Sequence, residues 1–178
     1  GELANGKTIL DVFSYAGGFS IHALFGGAKA VSSLDISAPA LEIAKNNAKL
    51  NEFSGTHHTI TGDAFDELAK LAKSKKKFDI VVIDPPSFAK SATEVDKALA
   101  SYKKLTQLGL RLVQKKGTLV LASCSSRVTS EVFFDLVEET LHRNNADYTI
   151  LETTLHDIDH PIGFKEGAYL KCVYVRID

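Results

Sequence analysis

The chain has 178 residues, 21 Lys+Arg against 22 Asp+Glu, 44% hydrophobic and 24% charged residues, and a formal net charge of −1. That composition excludes a disordered, collagenous or disulfide-dense chain, and the length suits one domain, somewhat above the usual ~100–150 residues. A balance so near neutral, with pI ≈ 6.7, advertises neither nucleic acid nor an anionic membrane surface.

Apolar runs and helical stretches alternate along the chain. Residues 7–13 (KTILDVF) read as a strand, 14–18 as a glycine-bearing turn and 19–25 as a short helix. Residues 29–35 form a second strand, and 38–51 a helix with Leu41, Ala44, Ala48 and Leu50 or Asn51 on its buried face at 3.6 spacing. A third strand spans 56–61, and an amphipathic helix spans 63–73 with Phe65, Leu68, Ala69 and Ala72 inward. Residues 78–84 (FDIVVID) are the most continuous apolar run, as expected of a strand covered on both faces. Pro85-Pro86 end that strand. A long helix follows over 93–114, with Val95, Leu99, Tyr102, Leu105 or Thr106, Gly109 and Leu112 on its apolar stripe. Gly117 closes the connection to a fifth strand at 118–123, and helix 129–143 buries Val132, Phe133, Leu136, Val137 and Leu141. Strands 148–156 and 168–177 end the chain with no helix between them, so they should pair antiparallel.

Such βα units in series require right-handed crossovers, a mostly parallel sheet and helices on both faces. Ligands of such sheets bind outside the carboxyl ends of the strands, where the strand order reverses. Asp11 to Gly18 (DVFSYAGG) follow the first strand, with glycines that let backbone approach a ligand. Neither phosphate-cradling glycine pattern is present, which argues against a dinucleotide or ATP. Asp35 ends the second strand, where a carboxylate can accept both hydroxyls of a ribose. Asp63-Ala64-Phe65 follow the third, a carboxylate beside a ring that could flank adenine. Asp35 and Asp63 could equally cap the next helix. Together, in strand order, these residues specify a nucleoside without phosphates. Asp84-Pro85-Pro86-Ser87-Phe88 follow the fourth strand and hold one carboxylate and one ring over the sheet edge. Cys124 follows the fifth, where amides at the start of the next helix could favour its thiolate; burial as an ordinary core cysteine is the alternative.

With DVFSYAGGFSIHA, LDIS, FDIVVIDPPSFAKS, LASCSS, DHPI and GAYLK in place, the chain resembles the Rossmann-like class I S-adenosylmethionine (SAM) methyltransferases. The closest branch is the bacterial large-subunit ribosomal RNA cytosine-5 methyltransferases. The resemblance implies sheet order 3-2-1-4-5-7-6 with an antiparallel last strand. It implies SAM held by Ser14, Tyr15, Ala16, Gly17, Gly18 and Phe19 at the methionine end, Asp35, Ile36 and Ser37 at the ribose, and Asp63, Ala64 and Phe65 at the adenine, with Asp84 and Pro85 alongside. Cys124 would add to carbon 6 of cytosine and Asp84 would hydrogen-bond the ring, with Pro86, Phe88, Lys90, Arg127 and Lys165 facing an RNA substrate. Relatives that methylate guanine keep the DPP turn without the cysteine. Methylation of a nucleobase nitrogen, with Cys124 only packing, and a non-catalytic RNA- or cofactor-binding module are therefore the alternatives.

The remaining features set expectations about context. There is no methionine, and the chain begins Gly1-Glu2-Leu3; residues 1–178 read as a single catalytic domain, the C-terminal part of a longer protein without its RNA-binding module. Such a piece should bind cofactor weakly and RNA poorly, and a homodimer is an expectation for the longer protein. Two cysteines and no apolar run of transmembrane length point to a reduced, cytoplasmic protein. The basic run Lys70 to Lys77 and the pair Lys115-Lys116 belong to the amino edge, away from the chemistry. The six histidines make no metal pattern, His160 suits a structural turn, and Cys172 should be core.

Overall fold

The computed structural model describes residues 1–164 and 167–178. In chain order the elements are β1 (Thr8–Val12), α1 (Gly18–Phe25), β2 (Ala30–Asp35), α2 (Ala38–Lys49), β3 (Thr56–Thr61), α3 (Ala64–Lys73), β4 (Phe78–Ile83), α4 (Val95–Leu112), β5 (Val113–Ser123), α5 (Ser130–Arg143), β6 (Tyr148–Thr154) and β7 (Lys171–Ile177). The strands form one sheet in the order β3-β2-β1-β4-β5-β7-β6. β1 to β5 run parallel, while β7 lies antiparallel between β5 and β6. Sheet order and strand directions agree with the expectation.

The pleat divides the core. Leu10 and Val12 of β1 join Val81, Ile83, Leu119 and Leu121 against α3, α4 and α5, while Ile9, Val31, Ile80 and Val120 pack with Ala23 and Leu24 of α1. Successive side chains point to opposite faces, so one alternating strand feeds both layers. On the α1 side, Ile80, Val82, Val120 and Tyr174 wall a hollow of about 590 Å³ that also meets Phe19 and Asp11.

Local chemistry sets the helix starts. Ser37 Oγ accepts the Ala40 N–H at 3.3 Å with proline in the first turn of α2, and Thr129 Oγ1 accepts the Val132 N–H at 3.3 Å at the start of α5. Before α4 stands a short 3-10 turn, Ala92–Glu94, closed by a reciprocal Ser91–Glu94 capping box.

Some boundaries differ from the sequence reading. β5 begins at Val113, directly after α4, and Gly117 lies inside it. The pairing jumps from Phe78↔Val113 to Ile80↔Thr118, so the intervening residues bulge out. Lys116 has φ 62 there, and a Cβ on Gly117 would sit 2.7 Å from the Asp79 carbonyl oxygen. Leu50 is 82% exposed because α2 stops at Lys49, and Val132 is 43% exposed in the first turn of α5. Asn51 and Ala69 are also exposed; α3 turns Ala64 and Leu68 inward instead. Cys172 is half-buried against the smaller cluster rather than sealed in the core. The last two strands are shorter than expected, since β6 ends at Thr154 and β7 starts at Lys171.

Gly17 is required by both backbone and packing. Its φ is +83°, and a Cβ there would lie 2.9 Å from Ala44 Cβ on α2. Gly17→Ala should cost roughly 2–4 kcal/mol, combining left-handed strain with overpacking. Adding Ala44→Gly should recover the packing part only. Urea unfolding of the single and double variants checks this, and full recovery by Ala44→Gly would remove the backbone part of the claim.

Candidate active site

The strand order reverses between β1 and β4, so the loops leaving these two strands flank a crevice at the carboxyl edge. The β1 exit is tightly wound: Phe13 and Tyr15 have φ of 64° and 48°, and Gly17 follows at 83°. Non-glycine residues in this region carry about 1–3 kcal/mol of strain each and persist where the surroundings fix them. Here the fixing groups are visible. The Tyr15 N–H donates to Asp35 Oδ2 at 2.9 Å, the Ser14 N–H to the Leu34 carbonyl at 3.1 Å, and Asn47 Nδ2 to the Ala16 carbonyl at 3.0 Å.

Asp35 is therefore clamped from two loops, because the Ser37 N–H also donates to its Oδ1 at 2.9 Å. Around it stand exposed apolar side chains: Tyr15 at 68%, Phe19 at 56% and Ile36 at 72%. A Cβ on Gly18 would meet nothing within 4 Å, so that side of the loop is open. Ser14 Oγ is buried without a hydrogen-bond partner. A fixed carboxylate among exposed apolar groups, beside an open glycine, suits a ligand with hydroxyls and a flat apolar part.

Asp63 caps α3, as the alternative reading held. Its Oδ1 accepts the Phe65 and Asp66 N–H groups at 2.9 and 3.2 Å. Phe65 is half-buried and lies 6.4 Å from Phe88, ring centre to ring centre. Phe88 also packs edge-on to Tyr102 at 5.2 Å and to Phe13 at 6.4 Å. Both rings named for stacking thus belong to one aromatic cluster at the site's floor and expose only part of their surface.

Asp84 continues β4 by donating its N–H to the Val12 carbonyl at 3.4 Å. It is half-buried, and burial pushes its carboxyl above the usual range. Pro85 is buried and Pro86 exposed. The Pro85 carbonyl lies 3.7 Å from Cys124 Sγ and accepts its weak S–H donor, linking the β4 and β5 exits. The expectation that helix amides favour the Cys124 thiolate is corrected. Burial, then the Asp84 charge, push the thiol up, opposed by N–H contacts and by Lys171. The physical reason is distance along the chain: α5 starts at Ser130, with Thr129 already satisfying its first turn.

Two further residues, unassigned by the sequence reading, stand out: Asp11, expected just after the first strand but lying inside β1, and Lys171. Asp11 is 1% exposed; its Oδ2 accepts the Ser20 N–H at 3.1 Å and Ser20 Oγ at 2.6 Å. Ser20 Oγ continues to Ser33 Oγ at 2.6 Å and on to His57 Nε2 at 2.7 Å. Asp11 Oδ1 is buried without a partner, and burial raises the carboxyl to about 6 despite the Ser20 hydrogen bonds. Lys171 opens β7 opposite Ser123 and is also 1% exposed. Both are charged residues inside apolar strands, the same signal that singled out Asp84.

Lys90 and Arg127 are exposed at this edge, while Lys165 lies outside the described residues. Lys70 pairs with Glu67 at 2.7 Å, and Lys77 Nζ donates to the Val113 carbonyl at 3.2 Å at the opposite edge, where the basic run was expected.

Residues 1–145 match the family described as "Conserved hypothetical protein 95". The chain belongs to that family. Among curated relatives of this family member, "Ribosomal RNA large subunit methyltransferase" of Deinococcus radiodurans is 40% identical over 177 residues, covering 99% of this chain and 43% of the relative. "Ribosomal RNA large subunit methyltransferase I" of Tolumonas auensis is 38% identical over 179 residues, covering 99% and 45%. The chain thus spans less than half the length of these relatives. The solved structure described as "A putative sam-dependent methyltransferase from Streptococcus mutans" superposes with TM-score 0.84 at 25% identity, covering 99% of this chain and 46% of that one. The fold is that of the class I SAM-dependent methyltransferases.

Proposed function

We propose that this chain is the catalytic domain of a SAM-dependent methyltransferase that modifies carbon 5 of a cytosine in large-subunit ribosomal RNA, with Cys124 as nucleophile. The observation that carries this reading is the Cys124 thiol 3.7 Å from the carbonyl of Pro85, the residue after Asp84, at the same sheet edge as the clamped Asp35. The names of the relatives support the substrate class.

The residues present fit SAM. Asp35 would accept the ribose hydroxyls, with Ile36 and Ser37 beside it; Asp63, Ala64 and Phe65 would hold the adenine. The open loop from Ser14 to Phe19 would take the methionine end, where buried Ser14 Oγ lacks a partner, with Pro85 alongside. When bound, SAM supplies an electrophilic methyl group. Cys124 thiolate adds to carbon 6 of the flipped base, which makes carbon 5 nucleophilic. Asp84 would hydrogen-bond N3 or the exocyclic amine of the ring and stabilise the charge that develops there. After methylation a base, for which water at the open edge would serve, takes the carbon-5 proton; the C–H electron pair re-forms the 5,6 double bond and the carbon 6–sulfur bond breaks, returning Cys124 as thiolate. Pro86 and Phe88 would border the base, and Lys90 and Arg127 would meet RNA phosphates, making binding salt-dependent. Cytoplasmic placement, a single domain over 1–178 and a homodimer of a longer protein belong to the same proposal.

The upward push on the Cys124 thiol favours one rival, methylation of a nucleobase nitrogen with Cys124 only packing. Methyl transfer from labelled SAM to unmodified large-subunit ribosomal RNA, with mapping of the product nucleoside, tests both. 5-Methylcytidine is expected, and an N-methylated base would overturn the proposal. For the cofactor, Asp35→Ala should weaken SAM binding roughly 10- to 100-fold, the worth of charge-assisted hydrogen bonds. Calorimetry reads this directly, and an unchanged Kd would remove Asp35 from the site.

A further inference from the structure

Lys171 is a buried cation built into the far side of the nucleophile's loop. Its Nζ donates to the carbonyls of Ser125 and Val128, both at 2.5 Å, and of Tyr169 at 3.0 Å. Three acceptors on one nitrogen use all three N–H bonds of an ammonium, whereas a neutral amine has only two to give. Burial pulls the group down to about 8, and the Cys124 sulfur pulls it back up. Among the described residues no carboxylate forms an ion pair with it. The titratable groups acting on Cys124 from the packed elements are Asp84 after β4, Tyr102 on α4 and Lys171 on β7. Of these, Lys171 alone is positive. Tyr102 is engaged with Ser123 Oγ at 2.9 Å, and Ser123 Oγ also accepts the Ser125 N–H at 3.3 Å.

We propose that Lys171 is the positioning residue of the nucleophile: it pins the 125–128 turn to β7 through the Ser125 and Val128 carbonyls, is itself held by the Tyr169 carbonyl, and sets a buried positive charge behind the loop that carries Cys124, holding the sulfur in place and favouring its thiolate. This rests on the reading of Cys124 as nucleophile. At 1% exposure with every N–H engaged, Lys171 cannot reach substrate. Its part is to offset the Asp84 charge, which disfavours the thiolate.

The test is the pH profile of Cys124 alkylation by iodoacetamide in a Cys172→Ser background, with the modified peptide identified by mass spectrometry. Lys171→Met should lower the alkylation rate at pH 7, where the ammonium still carries its charge, about tenfold, as expected when a nearby opposite charge is lost. Lys171→Arg should restore most of it. An unchanged profile in folded Lys171→Met overturns the proposal. If Lys171→Met does not fold, the reciprocal measurement decides. The Lys171 Cε resonance is titrated in the native chain and in Cys124→Ser, where the lysine should titrate at lower pH; identical titrations overturn the proposal. These readouts need no methyl transfer. Full turnover by Cys124→Ser would defeat the covalent mechanism while leaving the coupling between Lys171 and the thiol measurable.

Discussion

Cys124→Ala should lower methyl transfer to ribosomal RNA by at least about a thousandfold, the scale lost when a catalytic nucleophile is removed, while SAM affinity stays nearly unchanged. The separation follows from position. Most residues assigned to the cofactor leave β1, β2 and β3, with Pro85 alongside, whereas Cys124 leaves β5 and meets Pro85 only at its backbone carbonyl, which the substitution leaves in place. Carbon 5 of cytosine is too weak a nucleophile to take a methyl group directly, so on the proposed mechanism the sulfur–carbon 6 bond is what lowers the barrier. The pH dependence should carry the same mark. Because burial and Asp84 raise the thiol above its ordinary value, the rate should climb with pH through the neutral range and level off only above the usual thiol range. A Cys124→Ala variant that retains turnover, with its product mapped to a nucleobase nitrogen, would transfer the chemistry to the Asp84 turn alone.

Asp11→Asn should change stability in a pH-dependent way. The native carboxyl is held at about 6 by burial, well above an ordinary aspartate, so the folded state binds this proton more tightly than the unfolded chain does. The native fold is therefore favoured below the ordinary carboxylate range. It loses roughly 3 kcal/mol from this group as pH rises from about 4 to about 6, then nothing further. An amide does not titrate. Its oxygen can accept from Ser20 as Asp11 Oδ2 does, and its NH2 would occupy the place of the unpartnered Oδ1 beside the hollow. Relative to the native chain, Asp11→Asn should gain roughly 3 kcal/mol between about pH 4 and pH 7. Urea unfolding at both pH values measures the difference. Carboxyls that run the other way, such as Asp79, which its contacts with Thr8 and Lys7 hold low, are common to both proteins and cancel. A stability difference independent of pH would mean that Asp11 titrates normally.

Periodicity decided the architecture. The continuous run FDIVVI in β4 marked a strand covered on both faces, because side chains on alternate sides of the strand are all apolar but one. Charged residues at strand ends, Asp35 and Asp84 above all, marked the reactive edge for the same reason: an acid terminating an apolar strand needs a function or a partner. Boundaries were less legible. The β5 bulge depends on the Phe78–Val113 and Ile80–Thr118 pairings, contacts between residues far apart in sequence that no local window contains. The exposure of Leu50 and Ala69 likewise follows from where α2 and α3 meet the sheet.

The electrostatics of the site came only from tertiary structure. Adjacent letters suggested a thiol helped by helix amides; in space, burial and the Asp84 carboxyl push the Cys124 thiol up and the Lys171 ammonium opposes them. Lys171 is 47 positions from Cys124 in sequence (171 − 124) and is brought there because β7 inserts antiparallel beside β5, setting Lys171 opposite Ser123. Sequence by itself determined a mostly parallel α/β sheet and the edge at which its strand-exit loops gather, since those follow from local pattern and the handedness of βα units. Which charges share that edge, and how far each moves the others, was decided by long-range strand pairing and burial, because charge–charge and desolvation energies depend on distance in space and not along the chain.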